Sequence, residues 1–334
     1  MPGTIRVLSI DGGGIRGVIP AMVLAEMERR TRKPAAELFD LIAGTSTGGI
    51  LALALTKPGS GGKPQYSAAD LIGLYEQKGS TIFARSLWHT VVSADELRRP
   101  KYTEKGIETV LEQYFGEARF KDAVTPVMIT SYNIETRAPY FFKSWRAVAD
   151  ATCDFPMRAV ARATSAAPTY FPPAKLDVPD QTNYAALIDG GVFANNPTLC
   201  AYAEARILHR EANDFLVVSL GTGQHTRSIP YDEAQNWGLV EWAQPLLSVV
   251  FDGVSSTVEY QINELVGASR YFRFQADLKM GSDDMDNATQ SNIHALKVLA
   301  QQEIIEKSGS ILATLCAQLD TPAIPPGAAS GARP

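Results

Sequence analysis

Residues 44–49 read Gly-Thr-Ser-Thr-Gly-Gly and follow the largely apolar run Phe39-Asp40-Leu41-Ile42-Ala43. The segment Gly44-x-Ser46-x-Gly48 fits a nucleophile elbow, a sharp turn from strand to helix that leaves a serine hydroxyl exposed. Flanking glycines let strand and helix approach closely, and the following helix aims its positive end at developing negative charge. The competing reading is a glycine-rich connection with no chemistry. A second glycine run, Asp11-Gly12-Gly13-Gly14-Ile15-Arg16-Gly17, offers backbone N–H groups with few side chains in the way. Such a loop can bind an oxyanion, and each donor is typically worth roughly 3–4 kcal/mol in a transition state. The same letters fit the dinucleotide fingerprint Gly-x-Gly-x-x-Gly, which needs an acidic residue closing the next strand. That strand ends in Ala43-Gly44 instead, and Asp40 lies at its start.

A serine nucleophile needs a base. The chain has four histidines: His89, His209, His225 and His294. Only His225 lies near the end of an expected strand. Asp189 ends the run Tyr184–Ile188 and precedes Gly190 and Gly191. It either caps a turn, as aspartate often does, or serves as the base directly. A carboxylate is a weak base at its ordinary pKa of about 4, so desolvation and a hydrogen bond to Ser46 would have to compensate.

Apolar runs that end in glycine turns and lead into helices recur along the chain. Ile5–Ile10 reads as a strand, and residues 17–31 have helical spacing. Leu38–Ala43 reads as a strand before an apolar helix through Ile50–Leu55. Strands are also expected at 126–132, 140–142, 184–188 and 215–220. Helices are expected at 68–78, 103–115, 159–168, 197–210, 237–263 and 291–319. Alternation of this kind predicts an α/β fold with a mostly parallel sheet. In such a sheet the strand C-termini share one edge, where the turns at 11–14, 44–49 and 189–191 converge. One domain over 1–320 is expected, with residues 275–290 a polar, acidic loop. The Pro-, Gly- and Ala-rich stretch 321–334 is expected to be a disordered tail.

The 334 residues are 45% hydrophobic and 20% charged, enough for a large core. Net charge is −5 without a long basic block, so nucleic acid is not an expected partner. Cys153, Cys200 and Cys316 form no Cys-x-x-Cys pair or Cys/His cluster, so no metal is expected. The N-terminus enters a strand pattern by residue 5, with no expected signal peptide, and no apolar run reaches the ~20 residues of a membrane span. A cytoplasmic protein is expected, its oligomeric state open.

The blocks Asp11–Gly17, Gly44–Gly49 and Asp189–Gly191 resemble, in order, those of the patatin-like phospholipases. Ala163-Thr-Ser-Ala-Ala-Pro-Thr-Tyr-Phe-Pro-Pro173, Gly191–Pro197 and Val217-Val-Ser-Leu-Gly-Thr-Gly223 are similar to that family as well. The resemblance implies a three-layer α/β/α sandwich and a lipid acyl hydrolase of phospholipase A type without a cofactor. It implies Ser46 as nucleophile, Asp189 as base and amides around Gly12, Gly13 and Gly14 as the oxyanion hole. Gly17, Gly44, Gly48, Gly190 and Gly191 then support the turns. Arg16 either meets a substrate phosphate or fixes the glycine loop through a carboxylate, the second being preferred. Asn195 and Asn196 are expected to orient the Asp189 loop, and Ser165 to pack. Ile82, Phe83, Leu87, Trp88, Trp237, Leu239, Trp242, Leu246 and Leu247 are candidates for an acyl groove or a rim making transient peripheral membrane contact, against the simpler reading of core. Two other readings remain: a non-catalytic storage or interaction protein on the same scaffold, and an ATP-dependent kinase with phosphate-binding glycine turns.

Overall fold

A computed structural model describes residues 3–83, 100–179, 182–224, 228–242 and 245–320. The expectations for His89, Leu87, Trp88, His225 and the tail 321–334 lie outside these residues. The strands are β1 (Ile5–Ile10), β2 (Leu41–Thr45), β3 (Val127–Asn133), β4 (Ala138–Lys143), β5 (Ala174–Asp177), β6 (Tyr184–Asp189), β7 (Phe215–Leu220) and β8 (Tyr271–Phe274). They form one sheet in the order β5-β6-β3-β2-β1-β7-β8, with β4 on the other edge of β3. The pairs β1–β2, β2–β3, β1–β7 and β7–β8 are parallel. Pairs involving β4, β5 and β6 are antiparallel.

β1, β2 and β7 are buried along their whole length. Their continuous apolar runs are what a parallel strand covered on both faces requires. Successive side chains alternate between faces. Leu8, Ile10, Ile42, Ile129 and Val218 join one core, and Val7, Leu41, Ala43, Met128 and Val217 join the other. The first core is completed by helices α1 (Val18–Thr31), α2 (Thr47–Thr56), α3 (Ala68–Ile82), α4 (Glu104–Phe115) and α5 (Met157–Thr164). It also receives α8 (Gln290–Leu299) and α9 (Gly309–Leu319). The second is smaller and is covered by α6 (Thr198–Leu208) and the C-terminal half of α7 (Pro245–Val266), through Ala201, Ala205, Val258, Ile262 and Val266. This is a three-layer α/β/α sandwich.

Three local differences from the sequence reading have physical causes. The helix expected over 237–263 is divided into Leu239–Trp242 and α7, which starts at Pro245; proline fits a first helical turn but not a helix interior. The C-terminal helix is interrupted by a π-helical stretch at Ala300–Glu306 before α9 resumes at Gly309. The edge strands β5 and β8, of four residues each, are too short to show a period. Among the described residues no helix is long and apolar enough to cross a membrane.

Candidate active site

The path of β3 brings Ser46 and Asp189 together. One edge of β3 carries β4 throughout, from Met128↔Lys143 to Asn133↔Ala138. The opposite edge is divided: Thr130 pairs with Thr45, the last residue of β2, and the next residue, Ser131, pairs with Asp189, the last of β6. β6 is antiparallel to β3, so β2 and β6 lie nearly end to end and point at each other. The expectation that Asp189 arrives on a parallel strand is therefore corrected. Convergence comes from two strands meeting head-on beside Thr130 and Ser131.

The turn at Ser46 is strained as an elbow must be. Ser46 has φ 55° and ψ −123°, a left-handed conformation that costs a non-glycine residue about 1–3 kcal/mol. Its neighbours hold it there. The Ser46 N–H donates to Thr164 Oγ1 at 2.8 Å, and Thr164 Oγ1 donates to the Thr130 carbonyl at 2.7 Å. Thr45 and Thr130 hydroxyls meet at 2.6 Å beneath it. Gly44 and Gly48 are required by close approach: a Cβ on Gly44 would enter the Gly48 carbonyl, and one on Gly48 would enter that of Ile10. Gly17 packs against Thr47 and Tyr75, and Gly190 against Thr130.

The Asp189 carboxylate accepts the Gly191 N–H at 2.7 Å, and the Ser46 side chain lies beside it on the same cavity wall. Asp189 is 2% exposed. Burial pushes its carboxyl up to about 7, while the neighbouring Ser46 side chain and the Gly191 N–H pull the other way. The result is a carboxylate basic enough to share a proton near neutrality. Helix α2 begins at Thr47 and presents its N-terminus to this pair.

The glycine loop follows β1. Asp11 continues the β1–β7 ladder through its N–H to the Leu220 carbonyl at 3.0 Å. Its buried carboxylate is paired with Arg273 at 2.6 Å, and Arg273 also donates to Ser219 Oγ at 2.8 Å. Desolvation nonetheless raises the Asp11 pKa. The Gly12 N–H is committed to the Asn195 carbonyl at 3.0 Å, so it is not available to an oxyanion here. Among the described residues no partner takes the Gly13 or Gly14 N–H. Gly14 has φ 60° and faces the Met285 carbonyl, which accepts the Ile15 N–H at 2.8 Å.

Arg16 is buried and fixes the loop directly, donating from Nε to the Gly13 carbonyl at 3.3 Å and from Nη1 to the Asp283 carbonyl at 3.4 Å. Loop carbonyls are among its fixing contacts, and the carboxylates of Asp252 and Asp283 supply opposite charge. Asn195 ties the segment after Asp189 to the glycine loop and donates to Ser255 Oγ at 3.2 Å. Asn196 caps the start of α6, accepting the Thr198 N–H at 3.0 Å. Neither side chain is hydrogen-bonded to Asp189; the Asn196 bond is of the Asx type, within the segment that follows it.

A largely apolar cavity opens onto the pair. Gly13, Gly14, Ser46 and Asp189 line it with Ile50, Leu74, Tyr75, Ile82, Phe83, Ile107, Tyr170, Phe171 and Phe251. Ile82 and Phe83 are thus where the groove expectation puts them. Ser165 also lines it while donating to the Ala161 carbonyl at 2.7 Å. Trp237, Leu239, Trp242, Leu246 and Leu247 do not line it; Leu239 is 93% and Leu246 51% exposed. Sequence reasoning missed Thr130, Thr164 and Thr222. The last two lie in stretches singled out for similarity, but single threonines give no periodic signal.

A family model described as patatin-like phospholipase matches residues 8–202. Patatin-like protein 4 of Arabidopsis thaliana is 33% identical over 89% of this chain and 82% of its own length. A Solanum tuberosum protein named probable inactive patatin-3-Kuras 1 is 32% identical over 92% of this chain and 87% of its own. The solved structure of VipD from Legionella pneumophila aligns with 90% of this chain and 67% of its own, at 11% identity and a TM-score of 0.35.

Proposed function

Because the chain belongs to the patatin-like phospholipase family, which supports lipid acyl hydrolysis, we propose that it is a phospholipase A-type hydrolase in which Ser46 and Asp189 form the catalytic dyad. The observation that carries this reading is a strained, elbow-held serine beside a buried carboxylate with a raised pKa, both at the wall of one apolar cavity. Asp189 takes the hydroxyl proton as Ser46 Oγ attacks the ester carbonyl. The oxyanion is met by the N–H groups of Gly13 and Gly14, and the α2 N-terminus favours the same charge. Asp189 returns the proton to the departing alcohol, leaving an acyl-Ser46 ester. Water, deprotonated by Asp189, attacks that ester, and Ser46 leaves with its proton restored. The acyl chain occupies the cavity beside Ile82, Phe83, Phe171 and Phe251. Glycerophospholipids are the proposed substrates.

The apolar ledge at the start of α7 is the proposed contact with lipid. Leu239, Val240, Leu246 and Val249 are exposed, and Phe251 of the same helix reaches the cavity. Surfaces of this kind on otherwise charged proteins mark interaction sites.

A lipid panel read by mass spectrometry, with fluorophosphonate labelling alongside, tests the dyad. Wild type should release fatty acid and label at Ser46. Ser46→Ala and Asp189→Asn should each lose at least about ten-thousand-fold in kcat. Either folded variant turning over at the wild-type rate removes its residue from the mechanism. The potato relative named inactive gives the storage reading its one concrete support, and a wild type that neither labels nor hydrolyses would establish that reading.

A further inference from the structure

We propose that Thr222 is a positioning residue for catalysis, holding the glycine loop so that the Gly13 N–H faces the reacting oxygen. The proposal rests on the Ser46–Asp189 reading above. Strand β7 delivers the residue. Ile10 pairs with Leu220, and the ladder ends with Asp11 N–H on the Leu220 carbonyl. Two residues later Thr222 lies beneath the glycine loop, 3% exposed. Its Oγ1 donates to the Gly12 carbonyl at 2.6 Å. Its Oγ1, Cβ and Cγ2 fill the space where a side chain on Gly13 would go.

The consequence follows from peptide geometry. In a planar trans peptide the C=O and the next N–H point in opposite directions. Pinning the Gly12 carbonyl toward Thr222 therefore turns the Gly13 N–H away from Thr222. The next peptide is treated alike: the Gly13 carbonyl accepts from Arg16 N at 3.2 Å and Arg16 Nε at 3.3 Å, which turns the Gly14 N–H outward. Among the described residues neither N–H has a protein partner, and both glycines line the cavity that holds Ser46. Gly12, whose N–H is already bonded to Asn195, does not line it. A hydrogen bond to the Gly12 carbonyl also polarises the peptide and makes the Gly13 N–H a stronger donor. Thr222 itself does not line the cavity and touches no substrate. Its effect is confined to the stage at which negative charge develops on the substrate oxygen.

The test separates hydroxyl from methyl. Thr222→Val keeps the packing against Gly13 and loses the donor, whereas Thr222→Ser keeps the donor. The Val variant should lower kcat roughly 10- to 100-fold with KM unchanged, and the Ser variant should stay within about threefold of wild type. Affinity for an alkyl trifluoromethyl ketone, which forms a hemiketal oxyanion on Ser46, should fall in parallel with kcat/KM. Affinity for a long-chain fatty alcohol, which carries no oxyanion, should not change. Should the Val variant fail to fold, Thr222→Ala against Thr222→Ser repeats the comparison, since both lack the methyl and only alanine lacks the hydroxyl. Equal rates in the hydroxyl-retaining and hydroxyl-lacking variants overturn the proposal. A fall in fatty-alcohol binding as large as the fall in ketone binding also does so. Failure of the underlying dyad reading looks different: wild type itself would then not label with fluorophosphonate.

Discussion

Replacing Asp189 with asparagine should make the protein more stable while abolishing its chemistry. Burial lifts the Asp189 carboxyl from an ordinary 3.8 to about 7. The folded pKa lies above the unfolded one, so the folded state holds a proton that the unfolded chain has already released over that window. The contribution of Asp189 to wild-type stability is therefore greatest below about pH 4 and falls until pH passes about 7. The gap of about 3 units, at ~1.4 kcal/mol each, makes the ionised carboxylate cost about 4 kcal/mol at pH ~8 and less than half of that at pH ~5. Asparagine has nothing to titrate. Its amide oxygen can still accept the Gly191 N–H, and its NH₂ can donate to Ser46 Oγ. Thermal melts of both proteins should then show Asp189→Asn ahead by about 8 °C at pH ~8 and only about 3 °C at pH ~5, taking ~2 °C per kcal/mol for a chain of this size. The decisive quantity is the difference between those gains. If the advantage of asparagine is the same at both pH values, Asp189 is not a desolvated carboxylate and its basicity needs another explanation.

One further outcome concerns the dyad and one the exposed apolar ledge. Hydrolysis should rise with pH and level off above an apparent pKa of about 7 in kcat/KM, because only the ionised Asp189 can accept the Ser46 proton; a profile flat from about pH 5 to about pH 9 would leave Asp189 without the role of base. Leu239→Asp combined with Leu246→Asp should weaken co-sedimentation with zwitterionic phospholipid vesicles at least roughly tenfold, since each places a charge where apolar surface is exposed. Hydrolysis of a soluble short-chain ester should be unchanged. Undiminished vesicle binding by the double variant would move the lipid contact elsewhere.

The sequence made the glycine turns and their strands legible because both are local. Apolar runs ending in Asp11-Gly12, Gly44-Thr45 and Asp189-Gly190 announce strand ends, and the structure places all three around one cavity. What could not be read was how they meet. Apolar content alone does not distinguish a parallel from an antiparallel strand, and the direction of β6 is set by its pairing with β3 and β5. The threonine relay is equally silent: Thr164 is distant in sequence from Ser46, and only the packing of α5 against α2 brings its hydroxyl to the elbow. Arg16 was legible as a structural group, but one of its acceptors, a carbonyl of its own loop, depends on a turn no spacing rule describes.

The head-on arrangement of β2 and β6 has a functional logic. Had the carboxylate sat on a long loop, its distance from Ser46 would vary with every loop motion. Here the separation is set by two consecutive residues of β3, Thr130 and Ser131, each locked into the ladder. Side chains alternate along a strand, so a one-residue slip of β6 would turn Asp189 to the opposite face of the sheet and bring Ile188 to the elbow. Burial of Ala185 and Leu187 in the same core as Ile42 opposes that slip. The packing that stabilises the sheet thus also fixes the register on which proton transfer depends. That register keeps a carboxylate in an environment where ionisation is costly, and the raised pKa makes it a useful base.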